Sequence, residues 1–118
     1  MRSEERLKTA LEETGLPVKY YEYAGIKPEY IVYNEEADEL ANYADNQPQD
    51  EVMWWQVHLF VSKDGAFRQH RETIKRALLQ AGFTVSEITT LYEAETKTIH
   101  VVIPCHTEER WQKKESNM

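Results

Sequence analysis

The chain has 118 residues, with 14 basic against 21 acidic side chains and a net charge of −7. That length suits one domain with its own core, and the sign of the charge opposes the counterion-releasing grip of a nucleic-acid binder. No apolar run nears the roughly 18 residues that would span a bilayer, the start MRSEERLKTA lacks the apolar segment of a secretory signal, and a lone Cys105 excludes an internal disulfide and suits a reducing compartment.

Residues 3–14 read as a helix. Ser3 is placed to cap it, Glu4 and Glu5 sit where the helix dipole favours acid, and Leu7, Ala10, Leu11 and Thr14 form a narrow apolar stripe. Gly15 closes it and Pro17 cannot continue it. Residues 18–23 and 29–34 read as two strands around a break at Gly25 and Pro28; Tyr30, Val32 and Asn34 share one face, Ile31 and Tyr33 the other. Residues 37–50 are expected to form an extended loop or hairpin excursion, turn-rich around Pro48. Between Lys27 and Lys63 there is no basic residue, while Glu35, Glu36, Asp38, Glu39, Asp45, Asp50 and Glu51 are all acidic.

Residues 52–62 are the strongest strand. Met53, Trp55, Val57, Leu59 and Val61 give an unbroken apolar face, and Val52, Trp54, Gln56, His58 and Phe60 a mixed one. Residues 66–81 then read as a helix with Phe67, His70, Ile74, Ala77, Leu78 and Ala81 on one face and Arg68, Glu72, Lys75 and Arg76 opposite, closed by Gly82. Residues 83–91 and 98–104 read as two further strands, the second with Ile99, Val101 and Ile103 on one side. Residues 106–118 read as a polar flexible tail. The order predicts an α+β fold over residues 1–105: a mostly antiparallel sheet of four to five strands with two helices packed on one face. The helices belong on the Met53/Trp55/Val57 side, which leaves the Trp54/Gln56/His58 side uncovered by regular structure. Such a face is expected to be an interaction surface.

The sequence carries no pattern that demands chemistry. His58, His70, His100 and His106 lack paired metal-ligand spacing, and the four glycines are too scattered for a phosphate loop. No metal, cofactor or catalytic residue is expected, and the chain does not read as an enzyme. A thiol enzyme built on Cys105 and a histidine would need a base within reach of the thiolate.

The segments LPVKYYEY, KPEYIVY, YADNQP, WWQVHLFVSKD and RETIKRALLQAGF, in that order over residues 5–104, resemble the small tail completion or tail terminator proteins of siphophages and prophages of Gram-positive bacteria. The resemblance implies a structural, non-catalytic protein of the virion, made in the bacterial host cytoplasm. It implies self-association into a ring, typically hexameric and in some cases only on the tail template. The ring caps the major tail tube protein, docks the head connector or stopper, and lets DNA pass without specific binding; no membrane is involved. The loop Tyr43, Ala44, Asp45, Asn46 then becomes a subunit or tube contact, with Trp54, Gln56 and His58 as a second contact surface. Glu35, Glu36, Asp38 and Glu39 become an acidic lumen surface that repels DNA. Alternatives are another head–tail connector or head completion protein, and a small regulatory ligand-binding module with a ferredoxin-like sheet.

Overall fold

The computed structural model describes residues 2–111, arranged as α1 (Ser3–Glu12), β1 (Val18–Tyr20), β2 (Tyr30–Ala41), β3 (Asp50–Ser62), α2 (Phe67–Gln80), β4 (Thr84–Val85), β5 (Thr89–Glu93) and β6 (Thr98–Arg110). The fold is α+β, as the element order predicts. The sheet is open and has six strands, one more than the upper expectation: the order is β1-β2-β3-β6-β4, and β5 also pairs with β6. Only β1 is parallel to its neighbour.

The sheet is organised by β3. It pairs antiparallel with β2 from Tyr30↔Phe60 to Ala41↔Asp50, and with β6 from Asp50↔Arg110 to Ser62↔Thr98. Its side chains alternate strictly, as the pleat requires. Trp55, Val57, Leu59 and Val61 are buried under the helices, while Trp54, Gln56, His58 and Phe60 are only partly covered on the other face. The core adds Leu7 and Leu11 from α1, Ile74 and Leu78 from α2, Ile31 and Tyr33 from β2, and Ile99, Val101, Ile103 and Cys105 from β6. Arg6 ties the layers together. Its guanidinium donates to the Ala81 carbonyl at 2.9 Å and to Thr107 Oγ1 at 3.0 Å, and lies 5.2 Å from the centre of the Phe83 ring.

Several local expectations change. Ser3 is not a cap: it is the first helical residue, it is buried, and no side chain caps α1. The expected single strand over residues 83–91 is two short ones, and Pro104 explains the break. Its carbonyl faces that edge and accepts the Ser86 N–H at 2.9 Å. The nitrogen of a strand residue points to the same side as its carbonyl, and proline has no hydrogen there to donate. Pairing therefore stops between Val85↔Cys105 and Thr89↔Val102.

The expected flexible tail begins too early. Residues 106–110 continue β6 and pair with residues 50–54, because β3 reaches back to Asp50 and would otherwise present bare backbone. Thr107 is buried within this extension. Residues 112–118 of that expected tail lie outside the described residues.

The excursion at residues 37–50 is a hairpin. Past a bulge at Glu36, β2 and β3 run to a tip where Ala44 and Gln47 exchange both backbone hydrogen bonds, at 2.8 and 3.0 Å. Asp45 and Asn46 both have positive φ, 53° and 61°, the backbone of a type I′ turn and one that Asp and Asn tolerate. Together with the ends of β3 and β6 this makes a three-stranded arm, and the molecule measures 54 × 26 × 25 Å.

The α1 stripe is thin, so one residue should carry much of its attachment. Leu11→Ala is expected to cost about 2–5 kcal/mol in urea unfolding, while Glu12→Ala, on the exposed side of α1, should stay within about 0.5 kcal/mol.

Candidate functional site: the uncovered sheet face

Both helices lie on one side, so among the described residues the opposite face of the sheet has no layer of regular structure over it. Cross-strand register defines what it presents. Tyr30, Val32 and Asn34 of β2 stand opposite Phe60, His58 and Gln56 of β3. These in turn stand opposite His100, Val102 and Pro104 of β6, and Trp54 stands opposite His106.

Two clusters result. The first is a run of stacked rings: Tyr23 on Tyr30 at 4.3 Å, Tyr30 on Phe60 at 4.9 Å, and Phe60 on His100 at 4.3 Å between centroids. With Tyr21, Glu22, Val32, Asn34 and His58 they line a groove of about 350 Å³. The second cluster is Trp54 against His106, 4.1 Å between centroids. Trp54 is neither enclosed nor fully exposed: His106 covers part of it and the rest faces outward.

Hydrogen bonds fix the histidine tautomers in the groove. His58 Nε2 lies 2.9 Å from Asn34 Oδ1, an acceptor, so it carries the proton. His58 Nδ1 is then the acceptor for His100 Nε2–H, also at 2.9 Å. Asn34 is oriented in turn by donation from Nδ2 to the Glu35 carbonyl at 3.1 Å. Burial lowers the His58 pKa, with the neighbouring His100 adding to it. Burial also lowers that of His100, partly countered by Glu93. A proton on His58 Nδ1 would point two donors at each other.

The residues expected to act at contacts fall into three places. Gln56 and His58 lie on the uncovered face with the groove; Trp54 lies on the same face, nearer the arm; Tyr43, Ala44, Asp45 and Asn46 form the exposed tip of the arm. The four acids do not share one surface. All are exposed, but the bulge splits them: Glu35 and Asp38 pair with Trp55 and Met53 on the helix side, Glu39 pairs with Val52 on the uncovered side, and Glu36 is the extra residue. Glu35 also accepts the Tyr20 hydroxyl, which raises that phenol's pKa. Sequence reasoning missed Tyr23 and His100 as members of the site. The alternation that buries Ile99, Val101 and Ile103 assigns His100 to the opposite face, but only the register brings it to Phe60.

Cys105 is fully buried, and burial pushes its thiol up to about 12. A thiol held that way is protonated at neutral pH and closed off from solvent, unlike the exposed, electropositive setting of reactive cysteines. Among the described residues no group of three or more His, Cys, Asp or Glu side chains is placed to hold a metal ion. No helix among them is long and apolar enough to cross a membrane.

No protein-family model matches the sequence, and no curated protein matches it. Among solved structures the chain is similar to the type 4 fimbrial biogenesis protein PilO from Pseudomonas aeruginosa, with a TM-score of 0.48 and 12% identity over 91% of this chain. The chain spans 66% of the length of that protein chain. A similarity at this level carries no inference about partners or activity.

The two histidine shifts have a definite sign. Both folded-state pKa values lie below the free-histidine value of about 6.5, so below that pH the unfolded chain binds protons more readily than the folded one. Stability should therefore fall as pH drops from 7 to 5.5. Urea midpoints across that range should show the fall, and the His58→Asn/His100→Asn double variant should show a flatter profile.

Proposed function

We propose that the chain is a structural assembly protein, a tail terminator of a siphophage or prophage. In this reading it forms a ring, hexameric by the resemblance, that caps the tail tube and joins it to the head connector while DNA passes through. The observation that carries the proposal is the uncovered sheet face with its partly exposed aromatic groove, together with an arm whose tip presents Tyr43 to solvent. A closed ring needs two different patches on each subunit, and the face and the arm supply two. The sequence resemblance supplies the particular assembly.

The acids of the arm fit the same reading. Residues 35–51 hold seven acids and no base, which equals the chain's whole excess of negative charge. Five of them, Glu35, Glu36, Asp38, Glu39 and Asp45, are exposed, and on an arm around a lumen these would keep phosphate from adhering. The groove also favours a second reading, a small ligand-binding module, because its volume sits at the lower end of ligand pockets. That reading expects a monomer or dimer and no rings at any concentration.

Deleting the gene from its phage or prophage should give overlong tails without attached heads; tails of normal length joined to heads would refute the terminator role. Replacing Glu35, Glu36, Asp38 and Glu39 with lysine should leave ring assembly intact and slow DNA ejection, so unchanged infectivity would count against the lumen assignment.

A further inference from the structure

The groove has a chemical complement on the same chain. Its rings are flanked by acid: Glu22 is part of the lining, and Glu93 on β5 stands opposite Thr98, two residues along β6 from His100 and on the same face. Among the described residues no lysine or arginine lines it. On the other side of the molecule, α2 turns outward a stripe of opposite character. Arg68, Arg71, Lys75 and Arg76 stand against one acid, Glu72. Lys75 is engaged with Glu72 at 2.8 Å, and Arg68 and Arg71 lie over the Phe67 ring. Arg76 is exposed and makes no ion pair among the described residues, and Leu79, one turn on, is 59% exposed. A guanidinium stacks well on aromatic faces and pairs with carboxylates, and a neighbouring leucine adds apolar area. Arginine on aromatic rings is a common anchor of protein contacts.

We propose that the groove accepts Arg76 and Leu79 from α2 of a second copy of this chain, so that the uncovered sheet face of one subunit packs on the helix layer of the next. Donor and acceptor lie on opposite faces of the fold. One contact therefore leaves the pair with a free groove at one end and a free helix at the other, a head-to-tail arrangement that makes a ring where the rotation between copies closes and a filament where it does not. A twofold dimer has no need of it. The groove is too small for a helix but admits a protruding side chain. This contact rests on the assembly reading; it puts α2 rather than the arm against the uncovered face and leaves the arm tip for the tail tube.

Cysteine pairing tests it directly, because buried Cys105 does not compete. Leu79→Cys and Glu22→Cys, both at exposed positions, are made in separate chains, checked for folding by circular dichroism, mixed at high concentration and oxidised. The mixed disulfide dimer should exceed either symmetric dimer severalfold, and one chain carrying both substitutions should give a ladder of higher oligomers. Adding Arg76→Glu to the Leu79→Cys chain should cut the mixed product severalfold. Symmetric dimers in equal or greater yield, or no cross-link at all, would overturn the proposal. The wild-type chain, observed in parallel by native mass spectrometry and electron microscopy, separates the two levels. Rings without the mixed disulfide refute this contact and leave the assembly reading standing; neither rings nor cross-link refutes this contact between free chains, and the gene-deletion phenotype then decides the assembly reading, whose ring can need the tail template.

Discussion

The structure depends on the pairing of β3 with β2 on one side and β6 on the other along almost its whole length. A strand of 13 residues flanked on both sides forces its side chains into two opposed rows. One row, Trp55 to Val61, is closed by two helices. The described residues supply no third layer for the other row, and the same ladder that builds the core therefore builds the exposed face. Core and uncovered face are the two sides of one alternation, and a one-residue slip in register would exchange them.

The length of β3 has a second consequence. Helices of 10 and 14 residues cover only the part of the sheet nearest them. Beyond Trp55 the three central strands continue as a narrow arm. Its β2 edge carries Glu35, Glu36, Asp38 and Glu39, and charge on a free edge discourages indiscriminate strand addition. A bulge at Glu36 spreads those acids over both faces and shifts the arm's register by one residue. What the fold leaves outward is side-chain surface: the stacked rings on one face and the cationic stripe of α2 on the other.

Much of this was legible in the residues. The alternation in VMWWQVHLFV fixed which tryptophan is buried, and the stripes of α1 and α2 assigned both helices to one side. The hairpin tip could be anticipated from Asp45 and Asn46, which tolerate positive φ. What stayed hidden depends on partners distant in sequence. Nothing local says that residues 106–110 are strand, because their order comes from residues 50–54 across the ladder. Nothing local splits residues 83–91, because the cause is the missing hydrogen of Pro104 on the next strand. The groove is of the same kind: Tyr23, Tyr30, Phe60 and His100 come from a loop and three strands, and only register joins them. Ser3 misled because a serine before an acidic first turn has the composition of a cap, whereas here it is packed inside the helix.

The central claim is that the uncovered face is completed by another protein surface. Oxidative footprinting of side chains, comparing the dilute chain with assembled particles, measures this most directly. The account predicts that Trp54, Tyr30, Phe60 and His100 lose reactivity on assembly while the already buried Trp55 does not change. Equal labelling of those four residues in the dilute and assembled states would contradict it.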